Sequence, residues 1–454
     1  MYSPAPKPLP NTSDPDRTGR RGRPFPRPRV LAGWLALFLG LTAAPPAPAK
    51  SILAYYLAWY AAPPVSTNWG WHWTMDRFQP DRVNALGEPE IASWYQPWIG
   101  PYDSGDPVVL EYHTLLMRLA GVDAVVVNWF GPEDVFDYAR IEENLRRLLP
   151  FLERAGLQLA LCYEDRALQA PPPAEAPAAA DLVNRAIRAL SHAGKAYFQH
   201  RNYLRWQDRP VLLVFGPQVL RRADAWQQIL DALDPRPALF TINTALPGAA
   251  GAFAWPPMWL SQAPGTGGVL SENALNRYLA DFEQAARAWP AAISTAFPRF
   301  HDIHPRAGTR EYWGYLGDRS GLTFRQTLQR ALTNQTAMAM IATWNDFAEG
   351  TQIEPTREFG LRDLLTLQQL RRTHVDPDFP GKPRGLELVQ RLYQHRRAAH
   401  GNPARQKQLD EAARALANFK FNAAEALLPP VETDHPPAPH PPAEAAAPAD
   451  TPAP

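Results

Sequence analysis

The chain has 454 residues, and its 46 Lys and Arg residues nearly balance its 45 Asp and Glu residues, which leaves a net charge of +1. This balance excludes a bulk electrostatic attraction to nucleic acid or to an anionic membrane, so we expect a neutral partner. The length suits one large α/β barrel with appendages, and the single cysteine, Cys162, excludes an intrachain disulfide. Fifteen Trp and fifteen Tyr residues supply flat faces that could stack on sugar rings or fill a large core.

The first 49 residues have the layout of a secretory signal peptide. A basic cluster from Arg17 to Arg29 precedes an apolar run over residues 30–44, which is too short for a comfortable membrane span. Small residues at 47–49 then provide the expected cleavage spacing. We therefore predict export to the periplasm or the medium, with a mature chain that begins near Lys50 and has no membrane span. The alternative is an uncleaved N-terminal anchor in the membrane.

From residue 51 onward, short apolar runs alternate with helical patterns, which is the order of a (β/α)8 barrel. We predict an α/β fold, a (β/α)8 TIM barrel, over residues 50–380. Residues 170–180 are a Pro-rich stretch that we predict to be a surface loop. The eight predicted strands cover residues 51–60, 121–131, 157–165, 209–215, 238–242, 251–255, 291–297 and 337–343.

Polar and aromatic side chains stand at the ends of several predicted strands, where a parallel α/β barrel has its functional face. Asn128 and Trp129 end the second strand, and Glu164 ends the third. Trp255 ends the sixth strand, where it could form a stacking platform or fill the rim of the barrel. His72 lies in an aromatic loop after the first strand, and it could hold a substrate hydroxyl or close a hydrogen bond among packed tryptophans.

The eighth predicted strand ends in a dense polar cluster that contains Asp346 and Glu349. These two acids are three residues apart, so a helical turn would bring their Cβ atoms to roughly 5–6 Å from each other. Paired carboxylates suit acid/base work on a glycosidic bond. The alternative interpretation is a loop of solvated acids.

The segment Trp344 to Pro355 resembles the signature of the endo-α-mannosidases, glycoside hydrolase family 99 and its relatives. It reads Trp-Asn-Asp-Phe-Ala-Glu-Gly-Thr-Gln-Ile-Glu-Pro, and the family pattern is Asn-Glu-Trp-His-Glu-Gly-Thr-Gln-Ile-Glu-Pro. The resemblance implies that Glu349 is the general acid/base. It also implies that Asp346 replaces the family's Glu, which deprotonates the 2-hydroxyl of the sugar. Phe347 and Ala348 replace the family's Trp-His pair.

The resemblance extends over roughly residues 52–358 and implies further ligands of the sugar. The pair His72-Trp73 and the segment around Tyr102 are similar to family segments, and Asp302 matches an acid of a looser one. Glu164 is similar to a strand-end Glu of the family, which implies a ligand to sugar hydroxyls, although a salt bridge with Arg166 is the alternative. The predicted substrate-binding residues are His72, Trp73, Tyr102, Asn128, Trp129, Glu164, Trp255, Asp302, Trp344, Asn345 and Glu354.

The resemblance implies cleavage of an α-linked, α-mannan-like glycan with retention, so the expected partner is an oligosaccharide or polysaccharide. The sequence lacks a phosphate-binding glycine-rich loop, a nucleophile elbow and a dinucleotide fingerprint, so we predict no cofactor. His301 and His304 lack a third ligand at motif spacing, so we predict no metal. Two alternatives stay open: a glycan-binding barrel without turnover, associated with polysaccharide handling, and a hydrolase of different specificity.

Helical patterns continue beyond the barrel. Residues 386–399 and 406–428 predict a C-terminal helical hairpin, an appendage over residues 381–428 that packs on the barrel. The alternative is that the hairpin binds a partner protein. Residues 429–454 contain ten prolines and almost no large apolar side chain, so we predict a disordered tail. With the signal segment at the other end, both termini of the chain are predicted to be disordered.

Overall fold

A closed barrel of parallel strands forms the centre of the molecule. The computed structural model describes residues 50–169, 182–310, 312, 314–399 and 401–430. Each strand pairs in parallel with the next one in the chain, and the last pairs with the first. The predicted (β/α)8 barrel is therefore confirmed. Its strands are β1 (Ser51–Tyr56), β2 (Ala124–Trp129), β3 (Gln158–Tyr163), β4 (Arg209–Val214), β5 (Ala238–Ile242), β6 (Gly251–Phe253), β7 (Ala291–Ala296) and β8 (Met338–Ile341).

The strands are nearly continuous apolar runs because both of their faces are covered. All six residues of β2 and all four of β8 are buried, one face against the barrel interior and the other against helices. Seven of the eight predicted strands were too long at their carboxyl ends, and the prediction for β5, residues 238–242, was correct at both ends. The first was expected to reach residue 60, but β1 ends at Tyr56 because the chain then turns toward the loop after β8, where Leu57 N donates to Asn345 Oδ1 at 2.9 Å.

Helices cover the outside of the barrel, and shorter elements line its rim. The helices are α1 (Trp71–Thr74), α2 (Pro107–Ala120), α3 (Tyr138–Ala155), α4 (Leu182–Ala193), α5 (Ala223–Asp231), α6 (Glu272–Ala286), α7 (His304–Ala307), α8 (Leu322–Thr333), α9 (Arg362–His374), α10 (Pro383–Ala398), α11 (Pro403–Ala417) and α12 (Phe421–Leu427). A π-helical turn, Gly194–Phe198, extends α4, and 3-10 turns cover Asp165–Gln169, Met258–Gln262 and Arg319–Gly321. The strand Arg205–Trp206 is antiparallel to β4, and Phe300–His301 is antiparallel to Tyr315–Leu316.

The C-terminal appendage consists of α10, α11 and α12, and it packs on α2. Arg396 makes a bidentate ion pair with Glu111 of α2: Nε donates to Oε2 at 2.8 Å and Nη2 donates to Oε1 at 2.9 Å. The second predicted arm, residues 406–428, is two helices, because the chain turns between them at Phe419, whose φ is +57°. Partner binding by this appendage stays a prediction.

Three predicted segments lie outside the described residues: the signal peptide over residues 1–49, the surface loop over residues 170–180, and the tail from residue 431 onward. In the part of the chain that the structure describes, no helix combines the length and the apolar character needed to cross a bilayer.

Candidate active site

The loop after β8 is anchored to the loop after β1 through the side chain of Asn345. Its Oδ1 accepts from Leu57 N at 2.9 Å, and its Nδ2 donates to Leu57 O at 2.9 Å and to Tyr102 Oη at 3.1 Å. Tyr102 Oη in turn donates to Glu354 Oε2 at 2.8 Å. These side chains are buried, so the network fixes the base of the loop rather than its surface.

A second set of contacts fixes the turn that carries the two predicted catalytic acids. Tyr60 Oη donates to Asn345 O at 2.9 Å and accepts from Phe347 N at 3.2 Å. Thr343 Oγ1 accepts from Asp346 N at 2.8 Å. The backbone on both sides of Asp346 is therefore held by side chains of the barrel rim.

Asp346 and Glu349 share one turn, as their spacing predicted. Asp346 Oδ1 accepts from Glu349 N at 2.9 Å, so the first acid caps the turn that carries the second. Asp346 is 7% exposed, whereas the Glu349 side chain is 21% exposed. Burial raises the pKa of Asp346, and the charge of Glu349 raises it further. Burial also raises the pKa of Glu349, and the Arg310 guanidinium opposes that rise.

Asp302, after β7, connects to the acid pair through Arg310. Arg310 Nε donates to Asp302 Oδ2 and Arg310 Nη2 donates to Glu349 Oε1, both at 3.1 Å. The other oxygen, Asp302 Oδ1, accepts from His304 N at 3.0 Å and lies 2.7 Å from His304 Nδ1. Burial alone would raise the pKa of Asp302, but the hydrogen bonds from His304 and Arg310 lower it below its ordinary value.

The loops after β7 and β8 are also joined by their backbones. His301 N donates to Glu349 O at 2.8 Å, and Ile303 N donates to Ala348 O at 3.0 Å. Gly350 permits this approach, because its φ is +65° and a Cβ there would lie 2.9 Å from His301 O. Ala348 packs in an apolar cluster, which accounts for a small side chain where the family has His. The other buried members of this cluster are Met75, Phe78, Ala92 and Ile303.

Asn128 and Glu164 lie at the barrel mouth at the ends of β2 and β3, the second and third strands from β8. Asn128 Nδ2 donates to Glu164 Oε1 at 3.1 Å and also to Tyr55 Oη. Asn128 Oδ1 is buried and has no hydrogen-bond partner among the described residues. Burial raises the pKa of Glu164 to about 7, and the charge of Glu349 contributes to that rise. Glu164 therefore shares the electrostatic field of the acid pair. No ion pair joins it to Arg166 among the described residues, although the charge of Arg166 opposes the rise.

A cavity of about 940 Å³ lies beside His72. The His72 ring stacks on Trp59, with ring centroids 4.0 Å apart, and His72 Nε2 lies 3.0 Å from Asp137 Oδ2. Burial lowers the pKa of His72, and Asp137 opposes that shift. Flat aromatic walls with a few polar groups suit the faces of sugar rings. The aromatic side chains around the cavity are Trp59, Trp69, Trp71, His72, Phe130, Phe136 and Tyr138.

Trp255 lies at the barrel mouth between two aromatic rings. Its ring centroid is 4.8 Å from that of Tyr55 and 4.9 Å from that of Phe215, in edge-on arrangements. Trp255 is partly exposed, so the structure allows both predicted roles, the sugar platform and the filling of the rim.

Six predicted substrate-binding residues are buried in the scaffold. Trp73 Nε1 donates to Tyr102 O at 2.8 Å, and Trp129 Nε1 donates to Glu142 at 2.8 Å, toward α3. The structure gives these side chains supporting contacts, and a direct contact with a glycan stays a prediction that would require them to move. The six are Trp73, Tyr102, Trp129, Trp344, Asn345 and Glu354, each no more than 2% exposed.

Several residues of the site were not identified from the sequence. Arg310 follows Asp302 by eight residues in a loop without a motif, so no local pattern indicated its contact with Glu349. Trp59 and Tyr60 were assigned to the first strand, although they lie beyond its end. Within the described residues, no group of three or more His, Cys, Asp or Glu side chains could hold a metal ion.

No protein-family model matches the chain. The chain is 23% identical over 350 residues to a mouse protein named glycoprotein endo-alpha-1,2-mannosidase-like protein, which covers 70% of this chain and 73% of the relative. A human protein of the same name is 23% identical over 343 residues, covering 68% of this chain and 70% of the relative.

The fold is similar to that of a solved bacterial enzyme. The structure of the GH99 endo-alpha-mannosidase from Bacteroides thetaiotaomicron matches with a TM-score of 0.53 and 17% identity, over 71% of this chain and 96% of that chain. A second structure of that enzyme, with bis-tris-propane, gives a TM-score of 0.52 and 18% identity, over 71% of this chain and 96% of that chain. The similarity to these endo-alpha-mannosidases and their relatives therefore extends over the barrel as a whole, in sequence and in fold, and is not limited to the motif after β8.

Proposed function

We propose that this protein is a glycoside hydrolase that cleaves an α-linked, α-mannan-like glycan with retention, using Asp346 and Glu349. The observation that carries the proposal is the turn after β8, which holds both carboxyl groups at the functional face of the barrel. The aromatic cavity beside His72 supports a carbohydrate partner. The names of the mouse and human relatives and of the bacterial enzyme support the same class of reaction.

The two acids would divide the chemistry between them. Asp346 would take the proton of the sugar 2-hydroxyl as that oxygen bonds to the anomeric carbon, while Glu349 would protonate the departing glycosidic oxygen. Glu349 would then take a proton from the water that attacks the anomeric carbon, and the bond between that carbon and the 2-oxygen would break. The 2-oxygen would regain its proton from Asp346. A glycosyl-enzyme formed on Asp346 is the mechanistic alternative, and it also gives retention.

The shorter Asp346 must still reach its proton. Relative to Glu it lacks one methylene, about 1.5 Å of reach, while a base must come within about 2.6–3.2 Å. The contacts of Tyr60 and Thr343 hold the turn, so the shortfall would be met by substrate position or by a bridging water rather than by free movement of the loop. On this proposal Asp346→Asn abolishes hydrolysis, and Asp346→Glu changes the rate strongly in either direction.

The deciding experiment is a screen of the purified protein against a panel of α-mannans and α-glucans. NMR of the first product anomer reports stereochemistry, and a first product with the configuration of the substrate supports retention. Asp346→Asn and Glu349→Gln serve as matched variants, because each keeps the size of its side chain. Inverted product, or turnover that survives both substitutions, would contradict the assignment.

A glycan-binding barrel without turnover is the second candidate. Two observations favour it: Asp346 is shorter than the family's Glu, and Glu349 is already paired with Arg310. A protein that binds a glycan of the panel tightly, never cleaves it, and keeps its affinity in both variants would establish this candidate.

Export is part of the proposal, with cleavage near Ala49. It rests on the basic, apolar and small-residue order of the first 49 residues. The described fold is compatible with it, because β1 begins at Ser51 and Lys50 Nζ donates to Ala331 O and Asn334 O at 2.9 and 2.7 Å. N-terminal sequencing of the protein recovered outside the cytoplasm tests it, and an intact Met1 there would overturn it in favour of the N-terminal anchor or another route.

A further inference from the structure

Arg310 joins two carboxylates through separate nitrogen atoms. Nε donates to Asp302 Oδ2 and Nη2 donates to Glu349 Oε1, both at 3.1 Å. Asp302 is itself held by its own loop, through the backbone N and the ring Nδ1 of His304. The guanidinium can therefore keep its contact with Asp302 whether or not it also contacts Glu349.

The two contacts of Arg310 differ in their exposure to water. The side chain of Asp302 has no exposed surface, whereas those of Arg310 and Glu349 are 35% and 21% exposed. Water and salt weaken exposed ion pairs much more than shielded ones. The contact between Arg310 and Glu349 is therefore the weaker of the two, and it is the one that an entering molecule would reach.

Charged and titratable groups from several loops face Glu349. The acids are Asp346 on the same turn, Asp302 after β7 and Glu164 after β3, and their negative charges disfavour ionisation of Glu349. Arg310 and His304 act in the opposite direction and lower the pKa of Glu349. Within this cluster of acidic side chains, the direct contact with Arg310 favours the ionised form of Glu349. Asp346 is more deeply buried and makes no ion pair among the described residues, so the proton of the acid pair is best held there.

We propose that Arg310 is a positioning residue that keeps Glu349 ionised before substrate binds, so that a glycan must displace the guanidinium before Glu349 can donate a proton. The inference rests on the proposed function of the acid pair. When Arg310 withdraws toward Asp302, the proton passes from Asp346 to Glu349. This transfer leaves Asp346 as the carboxylate that acts as a base, and no proton from outside the pair is required.

The test is a titration of the whole protein without substrate. Carboxyl carbons of Asp and Glu are labelled with ¹³C and followed by NMR against pH, and Glu349→Gln and Asp346→Asn assign the two signals. In the natural protein Glu349 should ionise at lower pH than Asp346. Arg310→Gln should raise the midpoint of Glu349 by about 1–3 pH units, and Arg310→Lys should raise it less.

Arg306→Gln is the matched control. Arg306 lies in α7, four residues before Arg310, but its guanidinium stands over the Trp94 ring, 5.3 Å from the centroid. Removing this charge should leave the midpoint of Glu349 unchanged within the error of the titration. An equal shift in both Gln variants, or no shift with Arg310→Gln in a folded protein, overturns the inference. Circular dichroism establishes folding, and Arg310→Lys repeats the test if the Gln variant does not fold.

The readout separates this inference from the proposed function, because the titration needs no turnover. If Glu349 responds to Arg310→Gln while no glycan of the panel is cleaved, the ion pair has its inferred effect and the proposed hydrolase is wrong. If Arg310→Gln leaves the titration midpoint of Glu349 unchanged while the acid pair is required for cleavage, the proposed hydrolase is supported and this inference is wrong. With a cleaved glycan in hand, Arg310→Gln should also move the alkaline limb of the kcat/KM profile to higher pH.

Discussion

The two sides of the loop after β8 use polar groups in opposite ways. On the inner side, Asn345 and Tyr102 place donors against buried acceptors, so the groups are paired and water is excluded. On the outer side, Asp346, Glu349 and Asp302 gather three acids around Arg310. One segment thus carries a buried, hydrogen-bonded base and a partly exposed cluster of acids. Neighbouring polar residues in one motif can therefore serve stability and chemistry separately.

The largest effect is expected from Glu349→Gln, which alters only the outer side of the loop after β8. If Glu349 is the acid/base, kcat should fall by about 10²–10⁴-fold, because proton transfer acts in the transition state. Glycan affinity and the free energy of unfolding should change little. Turnover on the panel and thermal unfolding of the same preparation measure the two effects. Turnover within a few-fold of the natural protein would remove Glu349 from the chemistry.

Asn345→Ala tests the inner side. It removes three hydrogen bonds and leaves Leu57 N and O without their partners in a buried region. We expect a loss of about 3 kcal/mol in the free energy of unfolding, since each unsatisfied buried group costs about 1–3 kcal/mol. Chemical denaturation measures it. Full stability combined with lost turnover would place Asn345 on the reactive side instead.

Asp346→Asn should make the free energy of unfolding less dependent on pH, because it removes one titratable group from the cluster of acids. The pKa of Asp346 is raised in the folded protein, so the folded state keeps a proton that the unfolded state releases above its ordinary pKa. Stability from this group is therefore full at low pH and falls as pH rises through the folded pKa. Asn does not titrate, so its advantage should grow between pH 4 and pH 8, by about 1.4 kcal/mol for each pH unit over which only the folded state keeps the proton. Denaturation midpoints at several pH values measure it, and a pH-independent difference would argue against the raised pKa.

Tyr102→Phe is the mildest probe. It removes the hydroxyl between Asn345 Nδ2 and Glu354 Oε2 and leaves the ring packed against Tyr60 and Trp73. We expect a loss of about 1–2 kcal/mol of stability and a kcat within about two-fold of the natural value. A large loss of glycan affinity with unchanged stability would instead favour the role in substrate binding predicted from the sequence.

The sequence could predict the barrel because its strands are apolar runs separated by helical patterns, a signal that depends on local order alone. The placement of Asp346 and Glu349 on one turn followed from their spacing for the same reason. Long-range contacts gave no such signal. Arg310 reaches Glu349 only because the loops after β7 and β8 are joined in space, and nothing in its own neighbourhood of the chain indicates this.

The sequence also could not show which side chains of the loops face the cleft and which are buried. Within a loop no period of two or of 3.6 residues tells which side chain faces the cleft, so Trp344, Asn345 and Glu354 could not be separated from Asp346 and Glu349. Their burial became visible only with the loop after β1 in place. The break at Phe419 was also missed, since the surrounding Ala and Leu pattern continues across it.

The C-terminal helices bear on how much of the chain is needed to produce the barrel in soluble form. Arg397 Nη1 donates to Asp106 Oδ2 at 2.8 Å, and Asp106 is the cap of α2, while Leu386, Val389 and Leu392 of α10 are buried. A gene shortened to end after codon 380 would yield a barrel whose outer helix presents a bare apolar strip, a surface that drives aggregation. Soluble recombinant material therefore calls for the reading frame to continue through codon 428.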